Sequence, residues 1–306
     1  MSARIEVVLF GPEGRGSFNE AGNAGAGRAR DAGHGVTVTW IADPAPEARA
    51  IALLALCERG ADLIVAHGGQ GDYPVSIAAQ RFARQRFVVT QGSVRAQNVA
   101  TYDALQEQSA FLAGVLAAHV SQTGVVGHMS GEKVPPGLKG RAAFLDGVRS
   151  AETGVRALTT FCGSQHDPRR AFDTFAAQQR AGADVIFAMI DGGRDGAIAA
   201  CRELGIRQIG NVLDWTVRAP DVFLASAIAD SGRCVERAIA DFRRDAVPFG
   251  GAVTFGLAER DVVRLALARD VGHAARAQVE AWGSKLIDGT VRPGLQYEGE
   301  EFPVAA

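Results

Sequence analysis

Short apolar runs recur along this chain, each followed by glycine or a polar turn and then by a longer stretch of mixed, helix-period residues. The runs are too continuous for one-sided strands and read as strands buried on both faces. They predict strands over 5–10, 35–41, 61–66, 86–90 and 98–102, with helices over 19–32, 46–59, 75–84 and 105–120 between and after them. A second series starts at Gly124, with strands over 125–129, 155–161, 183–190, 207–211, 222–227 and 251–257. Its helices fall over 136–150, 168–181, 195–204, 232–244 and 274–288. The tail from Thr290 is rich in Pro, Gly and Glu and reads as irregular.

Repeated strand–helix alternation is the pattern of a parallel sheet covered by helices on both sides. The unit occurs twice, so the expected fold class is α/β: two three-layer αβα lobes with parallel sheets, joined by a hinge. The expected boundaries are 1–121 plus 250–287 for the N-terminal lobe, and 122–249 plus 288–306 for the C-terminal lobe and tail. Such sheets bind ligands at the carboxyl ends of their strands, and two of them across a hinge make a cleft that closes.

Composition narrows the function. Apolar residues at 47% and charged residues at 22% of 306 supply two cores. With 32 basic against 34 acidic residues, no excess of either sign points to nucleic acid or to an anionic membrane surface. No apolar stretch is long enough to span a bilayer. The residues after Met1 lead directly into Val7-Val8-Leu9-Phe10, which reads as a first strand rather than a signal-peptide core. As written, the chain is expected in the cytoplasm, or in the periplasm if a leader precedes it. Cys57, Cys162, Cys201 and Cys234 show no metal-ligand spacing.

Candidate chemistry lies at the predicted strand ends. Phe18 and Asn19 follow the first strand; they read either as a ring for stacking and an amide for a heterocycle edge, or as a core Phe beside a cap. The loop His67-Gly68-Gly69-Gln70-Gly71-Asp72-Tyr73 lets backbone approach a ligand closely, or serves as a tight turn with Asp72 capping the next helix. It has the spacing of neither a Walker loop nor a dinucleotide fingerprint. Asp191 in Asp191-Gly192-Gly193-Arg194-Asp195 reads as an acceptor, with Asp195 as a cap. Trp215, after Asn211 and Asp214, reads as a second stacking ring opposite Phe18 or as packing. His67 and His128 read as two polar cleft residues. Nucleophile elbows and HExxH are missing, and Cys162 near His166 is the best nucleophile candidate, so no catalytic residue and no cofactor or metal is assigned.

Four stretches stand in a telling order. They are Ser17-Phe18-Asn19; Arg86-Phe87-Val88-Val89 with Gly92, Asn98-Val99 and the run from Phe111; Gly124-Val125-Val126-Gly127 with Pro136, Phe144 and Gly147-Val148; and Ala183-Asp184-Val185-Ile186-Phe187 with Gly192, Gly193 and Gly196. Ser226, Gly256-Leu257 and Ile287-Asp288-Gly289 follow. Over residues 5–290 this resembles the basic membrane protein family of substrate-binding proteins, with the type I periplasmic-binding-protein fold. The resemblance implies a purine-nucleoside or related heterocycle as ligand, an ABC transporter permease as partner, and in some members a cytosolic regulatory role.

The site departs from the family pattern at Gly14-Arg15-Gly16, at Gly69-Gln70, at Gln91 where an Asp is common, at Asn211-Val212, and at Ala229 where a Lys is common. The expected contacts are therefore Phe18, Asn19, Gly69, Gln70, Asp72, Tyr73, Gln91, His128, Asp191, Asn211 and Trp215. The expected function is a binder of a nucleoside-like or other polar heterocycle tied to ABC-type uptake. The alternatives are a ligand-sensing regulator or an enzyme on the same fold.

Overall fold

A computed structural model describes residues 3–14 and 17–304. In chain order its elements are β1 (Ile5–Phe10), α1 (Ser17–Asp31), β2 (Val36–Ile41), α2 (Pro46–Glu58), β3 (Leu63–His67), α3 (Asp72–Arg81), β4 (Arg86–Thr90) and β5 (Val99–Ala104). Then come α4 (Gln106–Val120), β6 (Val125–Ser130), α5 (Pro135–Ser150), β7 (Arg156–Phe161), α6 (Pro168–Arg180), β8 (Val185–Met189), α7 (Arg194–Leu204) and β9 (Arg207–Asn211). The last are the single turn α8 (Trp215–Arg218), β10 (Phe223–Ala229), α9 (Ser231–Arg243), β11 (Ala252–Phe255), β12 (Val263–Leu267) and α10 (His273–Ile287).

The chain divides into two units. Unit 1 holds Met1–Ala104 and Asp230–Phe255, and unit 2 holds Leu105–Ala229 and Gly256–Ala306. These bounds differ from the ones drawn from the sequence, and packing is the reason. Helix α4 is buried from Ser109 to Ala118 and packs on α5, α10 and β10, so it joins the second unit, not the first. Helix α9 packs on α1 and β5, and so joins the first.

Unit 1 is a sheet in the order β11-β5-β4-β3-β1-β2, parallel throughout. Val8, Phe10, Ile64, Ala66, Phe87 and Val89 pack with Leu53, Leu56, Val75 and Ala78 of α2 and α3 on one face. On the other, α1 and α9 lie in contact. They approach at Gly25 and Gly232: a Cβ on Gly25 would sit 2.1 Å from the Gly232 carbonyl oxygen. The small-residue character of α1 therefore serves helix packing.

Unit 2 repeats the plan in the order β12-β10-β9-β8-β6-β7. Met129, Ile186, Ala188 and Phe223 pack with Phe175 of α6 and Ala197 and Ala200 of α7. Helices α4 and α5 cover the opposite face and meet at Gly114 and Gly147, each of which would place a Cβ 2.1 Å from a carbonyl oxygen of the other helix. The sheet is parallel as expected except at its edge, where β12 runs antiparallel to β10. After the buried Val263, all four residues from Arg264 to Leu267 are half-exposed, as on an edge strand, in contrast to the continuously buried β10 beside it. The tail has no regular element but is pinned to unit 2. Phe302 N donates to Thr159 O at 2.7 Å, and Glu301 pairs with Lys133 and Arg141.

Candidate functional site

In unit 1 the polar groups gather at the carboxyl ends of β1, β3, β4 and β5. His67 closes β3 and is fully buried. Its Nε2 lies 3.0 Å from Phe18 O and its Nδ1 2.8 Å from Thr90 Oγ1. A carbonyl only accepts, so Nε2 carries the hydrogen and Nδ1 accepts from the threonine. Burial lowers its pKa to about 4, partly offset by the Phe18 carbonyl, and the ring is neutral at physiological pH. Phe18 stacks on it at 4.4 Å between centroids and 24° between planes. Phe18 and Gly22 are one helical turn apart and both face the imidazole; a Cβ on Gly22 would lie 2.6 Å from it.

Asn19 is the third residue of α1, not its cap, and donates through Nδ2 to Phe10 O at 3.0 Å, holding the β1–α1 turn. Arg15 and Gly16, where the family pattern is broken, lie outside the described residues. Gly68 has φ +96°, in the left-handed region that favours glycine. Gly69 and Gln70 form an exposed 3-10 turn after it. Asp72 is not a cap either: its carboxylate accepts from Ser93 N, Ser93 Oγ at 2.8 Å and Val94 N at 3.1 Å, binding the loop after β4. Tyr73 is 45% exposed. Gln91, with φ +54°, turns its amide to Asp103 and accepts from Ala104 N at 2.8 Å.

In unit 2 the residue that organises the carboxyl ends is Arg194, which the sequence reading passed over. It follows Gly192-Gly193 at the end of β8, opens α7, and is 3% exposed. Its Nη2 donates to Ile190 O and to Asn211 Oδ1, and its guanidinium lies 4.5 Å from the centre of the Trp215 ring. Burial lowers its pKa to about 10, with Asp191 and Asp195 opposing, so the cation persists. Two of its nitrogens, Nε and Nη1, are buried with no protein partner. Trp215 also stacks on Phe223 at 5.7 Å, and its Nε1 donates to Asn211 O at 3.1 Å. A second stacking ring or a packing residue was expected here; the indole packs on Phe223 within unit 2 and is half-buried. Asp191 is half-buried, and Asp195, expected as a cap, is exposed in the first turn behind Gly193.

His128 is corrected outright. It is fully buried, with Nδ1 2.9 Å from Thr159 Oγ1 and Nε2 3.0 Å from Ser130 Oγ. Phe144, Phe161 and Phe187 surround it at 6.0–6.1 Å, and burial, reinforced by Arg141, lowers its pKa to about 3. It is a neutral core residue with no face for a ligand. Cys162 Sγ donates to Ser164 O at 3.2 Å, and burial raises its pKa, the opposite of what activates a thiol. The cavities of about 580 and 440 Å³ in unit 1 lie at the amino ends of its strands, lined by residues such as Arg84, Phe82 and Gly35, away from this rim. Among the described residues, no helix is long and apolar enough to cross a membrane.

A purine-binding protein of Brucella abortus is 27% identical over 159 residues, which is 52% of this chain and 45% of that protein. The transcriptional activator protein Med of Bacillus subtilis is 23% identical over 193 residues, 63% of this chain and 60% of that one. The matched stretches thus span only about half of these relatives' lengths, 45% and 60%. An ABC transporter solute-binding protein from Aeropyrum pernix superposes with a TM-score of 0.84 at 21% identity, covering 97% of this chain and 94% of the other, which is a likeness of type I periplasmic-binding-protein-like fold. The family of PnrA-like ABC transporter substrate-binding proteins matches residues 4–291, nearly the whole chain, and the chain belongs to that family.

Proposed function

We propose that the chain binds a small polar heterocycle, purine- or nucleoside-like, as the solute-binding component of an ABC uptake system. The observation that carries this reading is Phe18: a half-buried ring at the carboxyl end of β1, braced from behind by the neutral imidazole of His67. A ring held this way offers a face to a planar ligand at little entropic cost. The family match and the Brucella relative's purine-binding name support it. The test is thermal unfolding against nucleosides, nucleobases and flavin precursors. A true ligand at ~100 times its Kd adds about 2.7 kcal/mol of stability. Mass spectrometry of the released ligand checks that it leaves unchanged, as binding without chemistry requires. A panel without a single shift overturns the reading.

A second reading has one observation of its own, the match to a Bacillus transcriptional activator. A ligand-sensing regulator predicts that deleting the gene changes transcription while leaving uptake of the labelled ligand intact. An uptake component predicts the reverse.

A further inference from the structure

Arg194 and Asn211 form a cluster made of donors alone. A guanidinium has five N–H groups and no acceptor. Nη2 of Arg194 is spent on Ile190 O and Asn211 Oδ1, while Nε and Nη1 are buried with nothing to receive them. Because the oxygen of Asn211 is committed to Arg194, its amide is fixed and the NH₂ group points away from the guanidinium. That NH₂ makes no hydrogen bond to another described residue, and Asn211 is only half-buried, so it is open to a ligand. The carboxylates of Asp191 and Asp195 act on the cation through space, and neither bonds to Nε or Nη1. The cluster stands at the carboxyl ends of β8 and β9 and at the amino end of α7, an eleven-residue helix whose dipole favours negative charge there.

Resting on the reading of this chain as a heterocycle binder, we propose that Arg194 and Asn211 select a ligand that presents an acceptor oxygen, either a ring carbonyl or a carboxylate, and reject its amino counterpart. A donor set facing an amino group leaves donors on both sides unpaired, and sites built on hydrogen bonds discriminate strongly for that reason. A buried water is the competing occupant, since it supplies the same acceptor without selecting anything.

Calorimetric titration of the full chain with matched pairs tests this. Hypoxanthine against adenine and inosine against adenosine probe the ring carbonyl; nicotinate against 3-aminopyridine probes the carboxylate. The oxygen-bearing member of at least one pair should bind ~10-fold or more tighter, and which pair responds identifies the source of the oxygen. Arg194→Met should shrink that gap to roughly threefold or less, because the freed Asn211 amide can turn its oxygen outward and accept. If Arg194→Met fails to fold by circular dichroism, Asn211→Ala carries the test and should weaken the oxygen-bearing member by about fivefold or more. Equal affinities within every pair, or a preference for the amino member, overturn the proposal in favour of a buried water and leave the heterocycle reading standing. If no member of any pair binds, both fall.

Discussion

The two units put different chemistry at the same place in one architecture. In each sheet order the fourth strand, β3 or β8, ends at a buried polar side chain that reaches the end of the next strand, β4 or β9, and meets an aromatic ring. In unit 1 these are His67, Thr90 and Phe18; in unit 2 they are Arg194, Asn211 and Trp215. The first network is neutral and closed, with both imidazole nitrogens bonded. The second is cationic and open, with donors left over. A closed network fixes a shape, whereas an open one is the part of a protein that waits for something to complete it. The comparison places the closed network in unit 1 and the open one, to which the proposal above assigns selectivity, in unit 2.

Acid should break the comparison hardest. The pKa values of His67 and His128 are lowered to about 4 and about 3, so each stays neutral in the folded chain where the unfolded chain takes up a proton. Stability is therefore full above the unfolded pKa of ~6.5 and falls as pH drops below it, by ~1.4 kcal/mol per pH unit for each imidazole. Arg194, at about 10, does not titrate in that window. Urea midpoints measured from pH 7 to pH 5 should fall steeply, and the His67→Asn and His128→Asn variants should each remove about half of the histidine-dependent slope. A flat profile in the wild-type chain would mean that neither ring is held neutral.

The helix pairs are next in size. Gly25→Ala in unit 1 and Gly114→Ala in unit 2 each force a Cβ to 2.1 Å from a backbone oxygen. Each should cost about 3 kcal/mol, lowering Tm by roughly 6–12 °C. Gly27→Ala, in the same helix as Gly25 but with nothing within 4 Å of its Cβ, should be neutral or stabilising. Comparable losses at Gly25 and Gly27 would show that close approach to the partner helix does not set the effect.

The fold was largely legible because buried parallel strands write themselves as apolar runs: 86–90 and 207–211 coincide with β4 and β9 residue for residue. Strand β12 escaped because Val263-Arg264-Leu265-Ala266-Leu267 is a half-exposed edge strand, which such a filter misses. The unit boundaries escaped for a different reason: which unit claims α4 or α9 depends on three-dimensional packing, and no local signal encodes it. At the site, position was readable and role was not. Asn19, Asp72 and His128 stand near strand ends as read, yet each is occupied by hydrogen bonds to distant parts of the chain. Arg194 was passed over because the two carboxylates beside it, Asp191 and Asp195, drew the reading of that loop; the signal available was its place, shortly after a buried strand in a series where strand ends gather polar groups.

The two rings give smaller effects that should differ in kind. Trp215 touches Phe223 and Arg194 and spends both of its N–H groups inside unit 2, on Asn211 O and on Ser226 Oγ through the backbone. Trp215→Ala should lower the stability of the unliganded chain by ~2 kcal/mol, below the range for a fully buried tryptophan because the ring is half-exposed. A loss of affinity with an unchanged unliganded Tm would make Trp215 a ligand-facing ring rather than a packing residue.

Phe18→Ala should have the smallest effect on the fold and the clearer one on the ligand. One face of the ring lies on His67, and that stack is worth about 0.5–1.5 kcal/mol beyond burial. Burial holds His67 neutral, and Gly22, Ser231 and Thr90 enclose it apart from the Phe18 ring, while its hydrogen bond to the Phe18 backbone carbonyl survives the substitution. The imidazole network should therefore persist in Phe18→Ala, and the acid profile of unfolding should keep its slope while the unliganded Tm shifts by only a few degrees. Affinity for a planar ligand should drop about three- to tenfold, the equivalent of one lost ring face. Phe18→Leu, which restores apolar bulk without a π-face, should recover stability before affinity. If Phe18→Ala flattens the acid profile, the ring is what keeps His67 dry, and its role belongs to the closed network of unit 1 rather than to the ligand.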